Sequence, residues 1–244
     1  MVEPGMKMRA EFALIEHDFA DPAALAAALA AAVADDLCSG IAQRGAAWLA
    51  VSGGTTPRRF LQTLAQYDLD WSRVTVTLTD ERWVPPTHAR SNERLLRETL
   101  LAGRAASATF VPLYTDAPDP ESGSRKVAQL IDALALPFDA VVLGLGNDGH
   151  CASLFPDGDH FDAALESADT ARVMPMRSPT AGEPRITLTL PTLVAARALY
   201  LHIEGADKRQ VLAHVLAGEG ALARSPLRAI ARAANAPLNI YSCA

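Results

Sequence analysis

The stretch Phe138-Asp-Ala-Val-Val-Leu-Gly-Leu-Gly-Asn-Asp-Gly-His-Cys-Ala-Ser-Leu-Phe-Pro156 changes character at its middle, and that change decides the fold. Its first half holds the continuous apolar run from Ala140 to Leu143, the pattern of a strand buried on both faces. Its second half scatters Gly144, Gly146 and Gly149 among Asn147, Asp148 and His150. Glycine lets a backbone take positive φ and come close to a ligand. Titratable groups leaving the carboxyl end of a buried strand lie where open α/β sheets bind their ligands. The stretch reads as a central strand followed by an active-site loop.

The same glycines match the dinucleotide fingerprint G-x-G-x-x-G by spacing. That fingerprint places its third glycine inside a helix and ends the next strand on an acid. Here His150 follows Gly149 directly, Pro156 interrupts, and no strand ending in an acid follows within ~20 residues. No nicotinamide or flavin is expected.

Outward from this stretch, Ala46 to Val51 reads as a buried strand, the first of the chain. It runs into Ser52-Gly53-Gly54-Thr55-Thr56-Pro57 and a helix over 58–65, with Thr56 as N-cap and Pro57 at the first helical position. Glycines and hydroxyls before a helix make an anion site, because free N–H groups converge there. The loop lacks the GK[ST] ending of a Walker loop. Ala50-Val-Ser52-Gly-Gly54 also approximates a nucleophile elbow, so a serine esterase using Ser52 is an alternative reading. An elbow, however, normally comes after several strands.

Residues 71–79 alternate as a strand and end in Asp80-Glu81-Arg82, a polar exit. Ser91-Asn92 introduces a helix over 93–101; a short strand over 111–114 and a helix over 121–134 follow. Beyond the central stretch come a short strand over 172–176 and an alternating segment, Ile186, Leu188 and Leu190 against Thr187 and Thr189. Pro191 opens a helix to residue 197, and a buried strand spans 198–203. Helices over 207–216 and 227–234 lead to a closing strand over 237–242. Strands alternate with helices, and no Pro/Gly/Ser-rich linker or internal repeat divides the chain. The expected fold is α/β: one doubly wound, mostly parallel sheet with helices on both faces, residues 1–244 forming a single domain.

Composition narrows the function. With 244 residues, 50% hydrophobic and 20% charged, the chain can bury a large core and is not disordered. The alanine stretch over 23–34 follows Asp21-Pro22, an N-cap and a first-turn proline, and ends in Asp35-Asp36; it reads as a soluble helix, with no membrane implied. Residues 1–12 carry Glu3 and Glu11 and lack the basic-then-apolar layout of a signal peptide. Three cysteines without CxxC spacing point to a reducing cytoplasm and away from a disulfide framework or structural zinc. A net charge of −6 with scattered basic residues argues against nucleic acid. An anionic substrate must then be held by locally placed Arg, Lys and backbone N–H groups. Asp157-Gly-Asp-His160, joined to Asp148 and His150, offers metal-ligand types, but Asp-Gly-Asp is also a plain turn, and no metal is expected.

Four blocks in order carry a resemblance: Ser52-Gly-Gly-Thr-Thr-Pro57; Asp80-Glu-Arg82-x-Val-Pro85 with Ser91-Asn92; Gly144-x-Gly-x-Asp-Gly-His150-x-Ala-Ser-Leu-Phe-Pro156; and Arg185-Ile-Thr187 with Gly205-x-x-Lys208. They span about residues 50–208 and together resemble the 6-phosphogluconolactonase branch of the glucosamine-6-phosphate isomerase/6-phosphogluconolactonase superfamily. The resemblance implies a Rossmann-like sheet, no metal or organic cofactor, and hydrolysis of 6-phospho-D-glucono-1,5-lactone to 6-phosphogluconate, the second step of the oxidative pentose phosphate pathway. The deaminase branch carries a glutamate, in an Asn-Glu-Pro context, where this chain has Leu154-Phe155-Pro156. Asp157 stands where glycine is frequent in the lactonases.

The residues suit that chemistry. A lactone is an activated ester, so water needs a base and the carbonyl oxygen a donor. His150 is the expected base, since imidazole exchanges protons near neutral pH, and positioned base catalysis contributes on the order of 10²–10⁴-fold. Asp148, two residues earlier, is expected to orient it. Arg82 is expected to stabilise the oxyanion or hold the sugar. The N–H groups of Gly53, Gly54 and Thr55, with Ser52, would hold the phosphate. The resemblance adds Arg185 and Lys208 there, and Asp80 as an acid common to both branches. The expected partner is a small phosphosugar lactone, with no nucleic acid or membrane, the chain working as a monomer or weak homodimer. A phosphosugar-binding regulator is a further alternative, against which His150 and the lack of a helix-turn-helix both speak.

Overall fold

A strand buried along its whole length needs cover on both faces, and the centre of this chain is built that way. All four residues of β7 (Ala140–Leu143) are buried, as expected from its apolar run. A computed structural model describes residues 5–9, 12–166 and 171–244. Residues 1–4, 10 and 11, on which the reading of the amino terminus partly rests, lie outside the described residues.

The main sheet runs, edge to edge, β1 (Gly5–Arg9), β2 (Phe12–Phe19), β11 (Leu238–Cys243), β10 (Ala198–Glu204), β7, β3 (Ala47–Val51), β4 (Val74–Leu78) and β6 (Thr109–Phe110). Only β1 with β2 is antiparallel; every other neighbour pair is parallel. The chain leaves β2, crosses to β3 at the centre and builds outward to β6. It then returns to β7 beside β3 and builds back through β10 to β11 beside β2. The winding therefore reverses between β3 and β7, and such a reversal opens a crevice at the strands' carboxyl ends. Asp139, just before β7, fixes the register from the other end: its carboxylate accepts from Trp48 N at 2.8 Å and binds the Arg44 guanidinium.

Helices cover the faces. Asp21 caps α1 (Pro22–Arg44) by accepting from Ala23 and Ala24 N–H at 2.8 and 2.9 Å, and Gly45 closes it at φ 80°. Leu25, Leu29, Val33 and Leu37 are its fully buried stripe, each worth about 1.5–3 kcal/mol of burial. By length and composition α1 could cross a membrane; here it lies against β2, β3, β7 and β11. α2 (Arg58–Leu64) packs on α1 and on α3 (Asn92–Thr99). α4 (Pro120–Asp132), α5 (Phe161–Leu165), α6 (Leu190–Val194), α7 (Ala206–Ala217) and α8 (Pro226–Ala233) complete the order.

A small antiparallel sheet, not expected from sequence, pairs β5 (Asp80–Arg82) with β9 (Arg185–Leu188) and β9 with β8 (Val173–Met176). It sets Arg82 directly opposite Arg185. Four local expectations are corrected. β3 is not the first strand, since β1 and β2 precede it. The strand near residue 110 lies at Thr109–Phe110 rather than 111–114, and Leu190 opens α6 instead of continuing a strand. Thr56 does not cap α2: Pro57 holds that place with no side-chain hydrogen bond, and the helix begins at Arg58 as expected and is seven residues long.

Candidate active site

The loops after β3 and β7 are stitched together at the switch point. Ser52 N donates to Val142 O at 2.9 Å, and Gly144 N donates to Ser52 Oγ at 3.2 Å. Ser52 Oγ also lies 2.9 Å from Thr79 Oγ1, so its contacts are a hydroxyl and an amide and not a histidine. Above these loops opens a cleft of about 220 Å³. Ser52, Gly53, Gly54, Thr55, Asp80, Arg82, His150, Arg185 and Lys208 all line it. Asp148, the remaining residue singled out from sequence, stands behind His150.

The β7 loop is folded tightly to place one ring. Gly146 N donates to His150 O at 2.9 Å, Gly149 N donates to Gly146 O at 3.0 Å, and Gly149 takes φ 84°, which a side chain would resist. Ser225 at the start of α8 pins the turn by donating to Gly149 O at 2.6 Å. His150 Nδ1 meets Asp148 Oδ1 at 2.5 Å. A neutral ring that gives Nδ1–H to a carboxylate keeps Nε2 as its basic nitrogen. Burial opposes ionisation of Asp148, but its hydrogen bond to His150 and the charge there hold the carboxyl below its usual range. The imidazole leans on Phe155, centroids 4.4 Å apart, and the Arg185 guanidinium lies over the same phenyl ring at 5.6 Å. Phe155, at the position that distinguishes this chain from the deaminase pattern, therefore sits between the two.

The β5 wall is held by carboxylates. Asp80 is 6% exposed and accepts from Ser153 Oγ at 2.6 Å and Thr79 Oγ1 at 3.2 Å, with Arg185 at 3.9 Å. Its oxygens are thus largely committed to the protein. Glu81 is fully buried and accepts from the backbone N–H of Arg82, Asn92 and Glu93 at 2.7–2.8 Å and from Ser91 Oγ at 3.1 Å. It gathers the first turn of α3 onto β5. Burial pushes its carboxyl up to about 7, against the pull of those backbone donors and with help from Asp80. Asn92 Nδ2 donates to Asp80 O at 2.9 Å, packing against Gly53 so closely that a Cβ there would fall 1.9 Å from Asn92 Oδ1.

Three cations face the cleft. Arg82 donates to Arg90 O at 2.5 Å, and its Nε is buried with no partner among the described residues. Arg185 donates to Ala181 O at 2.9 Å, and burial lowers its pKa, partly countered by Asp80. Lys208 comes from α7 and reaches Thr56 Oγ1 at 3.4 Å, so it stands by the β3 loop, whereas Arg185 stands beside Arg82 on the small sheet. Burial also lowers Lys208, and Glu204 opposes this.

The Asp157-Gly-Asp-His160 run is used locally: Ser178 Oγ donates to Asp157, Arg177 N to Asp159, and His160 lies 3.0 Å from Asp159. Among the described residues no group of three or more His, Cys, Asp or Glu is placed to hold a metal ion. Sequence reasoning missed Thr79 and Ser153, whose parts depend on contacts across the sheet boundary, and it read Phe155 only as the replacement of an acid, not as the ring packed between His150 and Arg185. It also missed His202, a histidine inside an apolar strand run, which was a visible signal.

Known proteins match this arrangement. The family described as glucosamine-6-phosphate isomerases/6-phosphogluconolactonase matches residues 20–238. A 6-phosphogluconolactonase of Rhizobium meliloti is 48% identical over 225 residues, covering 92% of this chain and 97% of that protein. One of Mesorhizobium japonicum is 45% identical over 226 residues, covering 91% and 92%. The crystal structure of a 6-phosphogluconolactonase from Shewanella baltica superposes with a TM-score of 0.90 at 37% identity, covering 95% of this chain and 98% of that one. The chain belongs to the family of glucosamine-6-phosphate isomerases and 6-phosphogluconolactonases.

Proposed function

We propose that this chain, working as one domain, hydrolyses 6-phospho-D-glucono-1,5-lactone to 6-phospho-D-gluconate. The observation that carries the reading is the His150–Asp148 pair at the mouth of the switch-point cleft, 2.5 Å apart, with three cations around it. The lactonase relatives agree with it.

In this reading His150 Nε2 takes a proton from water as the water oxygen attacks lactone C1. Asp148 orients the ring and favours the imidazolium that forms. Negative charge then grows on the former carbonyl oxygen, where Arg82 supplies the opposing charge. Collapse of the tetrahedral intermediate breaks the C1 bond to the ring oxygen, which receives the proton from imidazolium. Gly53, Gly54 and Thr55 N–H, with Thr56 and Lys208, hold the phosphoryl group, and Ser52 ties that loop to Gly144. Asp80 positions Arg185 and Ser153, and Arg185 braces Phe155 and the sugar side of the cleft. Leu154 and Phe155 supply no acid for opening an amino sugar ring, which favours the lactonase over the deaminase.

The test generates the lactone in situ and follows product above the spontaneous rate, with a chelator present. We expect acceleration, reduced at least about hundredfold in His150→Ala, the lower end of the range for a lost general base. Full activity in that variant refutes the mechanism. Ammonia release from glucosamine 6-phosphate instead would assign the deaminase reaction, and covalent labelling of Ser52 with loss of turnover in Ser52→Ala would assign the esterase.

A further inference from the structure

β10 carries an imidazole through an otherwise apolar stretch of the core. Along the strand Leu199, Leu201 and Ile203 alternate with Tyr200, His202 and Glu204, and His202 is only 2% exposed. Two of these polar groups are accounted for within the fold: Tyr200 donates to Asp36 at 2.6 Å, and His202 Nε2 lies 2.9 Å from Glu204 Oε1. His202 Nδ1 is not, being buried with no partner among the described residues. A buried ring nitrogen without a partner is destabilising, so its place in the fold matters. Leu201 pairs with Leu143, which sets His202 level with Gly144 at the mouth of the switch point. There it lines the cleft beside Thr56, Phe60 and Lys208, with the Phe60 ring edge-on at 6.0 Å. Glu204, which takes Nε2–H, also acts through space on Lys208.

We propose that His202 Nδ1 is a hydrogen-bond partner of the substrate's phosphoryl group, making His202 a binding residue that selects phosphorylated lactones. The proposal rests on the lactonase reading above. Glu204 keeps Nε2–H throughout. The bond then forms with either placement of one proton: imidazolium donates Nδ1–H to the phosphate dianion, or neutral Nδ1 accepts from the P–OH of the monoanion. Lys208 contributes a point charge at the same end of the cleft, and the ring adds a directed contact that a flexible ammonium does not.

Three variants of the intact chain separate this role from a structural one. His202→Phe keeps the ring shape and removes both nitrogens. His202→Asn keeps a polar atom near the Nδ1 position, and His202→Gln keeps one near Nε2. In the Phe and Gln variants KM for the phospholactone, and the inhibition constant of inorganic phosphate, should rise about ten- to hundredfold, as for a lost hydrogen bond to a charged group. In both, kcat should stay within about threefold, and Asn should recover most of the binding. Unchanged KM in His202→Phe, a fall in kcat alone, or recovery by Gln and not Asn overturns the proposal. Should the Phe variant melt early, the Asn and Gln pair still decides. If the wild-type chain fails to hydrolyse the lactone, the functional reading has failed instead, and calorimetric titration of the same variants with inorganic phosphate still tests His202.

Discussion

Replacing Gly146 with alanine adds one methyl group at the point where the candidate site is tightest. An ideal Cβ there falls 2.2 Å from His150 Nδ1, 2.3 Å from its Cε1 and 2.5 Å from Asp148 Oδ1. Non-bonded heavy atoms rest near ~3.5 Å, so the ring must retreat by about 1.3 Å or the loop must open. Gly146 is not in the left-handed φ region, so alanine brings no backbone strain of its own and the contact alone is tested. The methyl presses on both partners and so disturbs the 2.5 Å hydrogen bond that orients the imidazole. A misplacement of about 1 Å at a reacting group is worth about a hundredfold in rate, or about 2.7 kcal/mol of barrier. KM should change little, because the proposed phosphoryl contacts come from elements other than the β7 loop. The assay couples lactone generation to oxidation of the product, with the spontaneous rate subtracted. A Gly146→Ala enzyme with wild-type kcat, or one altered only in KM, would show that the His150–Asp148 geometry does not carry the reaction.

Other outcomes follow from the same geometry. Glu81 holds a proton to about 7 in the folded chain and to 4.5 ordinarily, so its contribution to stability is complete below 4.5 and is lost as pH rises through 7. Urea unfolding should show up to about 3 kcal/mol less stability at pH 8 than at pH 5 from this group, and the slope should flatten in Glu81→Gln; identical slopes would refute it. Gly53→Ala drives a Cβ to within 1.9 Å of Asn92 Oδ1 and should push Asn92 off the Asp80 carbonyl. The β3 loop then shifts, and KM should rise about tenfold or more with a smaller change in kcat; an unchanged KM removes that loop from substrate binding. Cys38 is exposed, whereas Cys151 and Cys243 are buried and burial pushes both thiols up. A chromogenic disulfide should therefore titrate one thiol in the native chain and three in denaturant, without loss of turnover.

The centre of the fold was legible because its burial is two-sided. Ala140 to Leu143 is apolar without interruption, and the strand occupies those same residues. The Asp21-Pro22 start of α1 was equally plain, since cap and proline act locally. β2 was missed because beyond Phe12 and Leu14 its side chains are only partly covered, which leaves no clear period. The small sheet was missed for a different reason. β5 is three polar residues long, and what makes it a strand is its pairing with β9 more than a hundred residues later. Ile186 and Leu188 alternate with Thr187 in the sequence, and in the fold all of β9 is buried, Thr187 Oγ1 accepting from Ser153 N at 3.2 Å. At the site, residue types and their order along the chain could be read directly. The commitment of Asp80 to Ser153, the Phe155 ring between His150 and Arg185, and His202 beside Lys208 could not, because each arises from packing between elements distant in sequence.

The stitch between Ser52 and Gly144 joins positions 92 residues apart. The β3 side supplies the proposed anion loop, the β7 side supplies the imidazole, and both loops line the one cleft. Closing so long a loop is entropically modest, but parallel pairing across it is slow compared with helix formation. Turnover is thus a clock for the last stage of assembly. On dilution from denaturant, far-ultraviolet helix signal should return first, and catalysis only when the two halves of the chain have met.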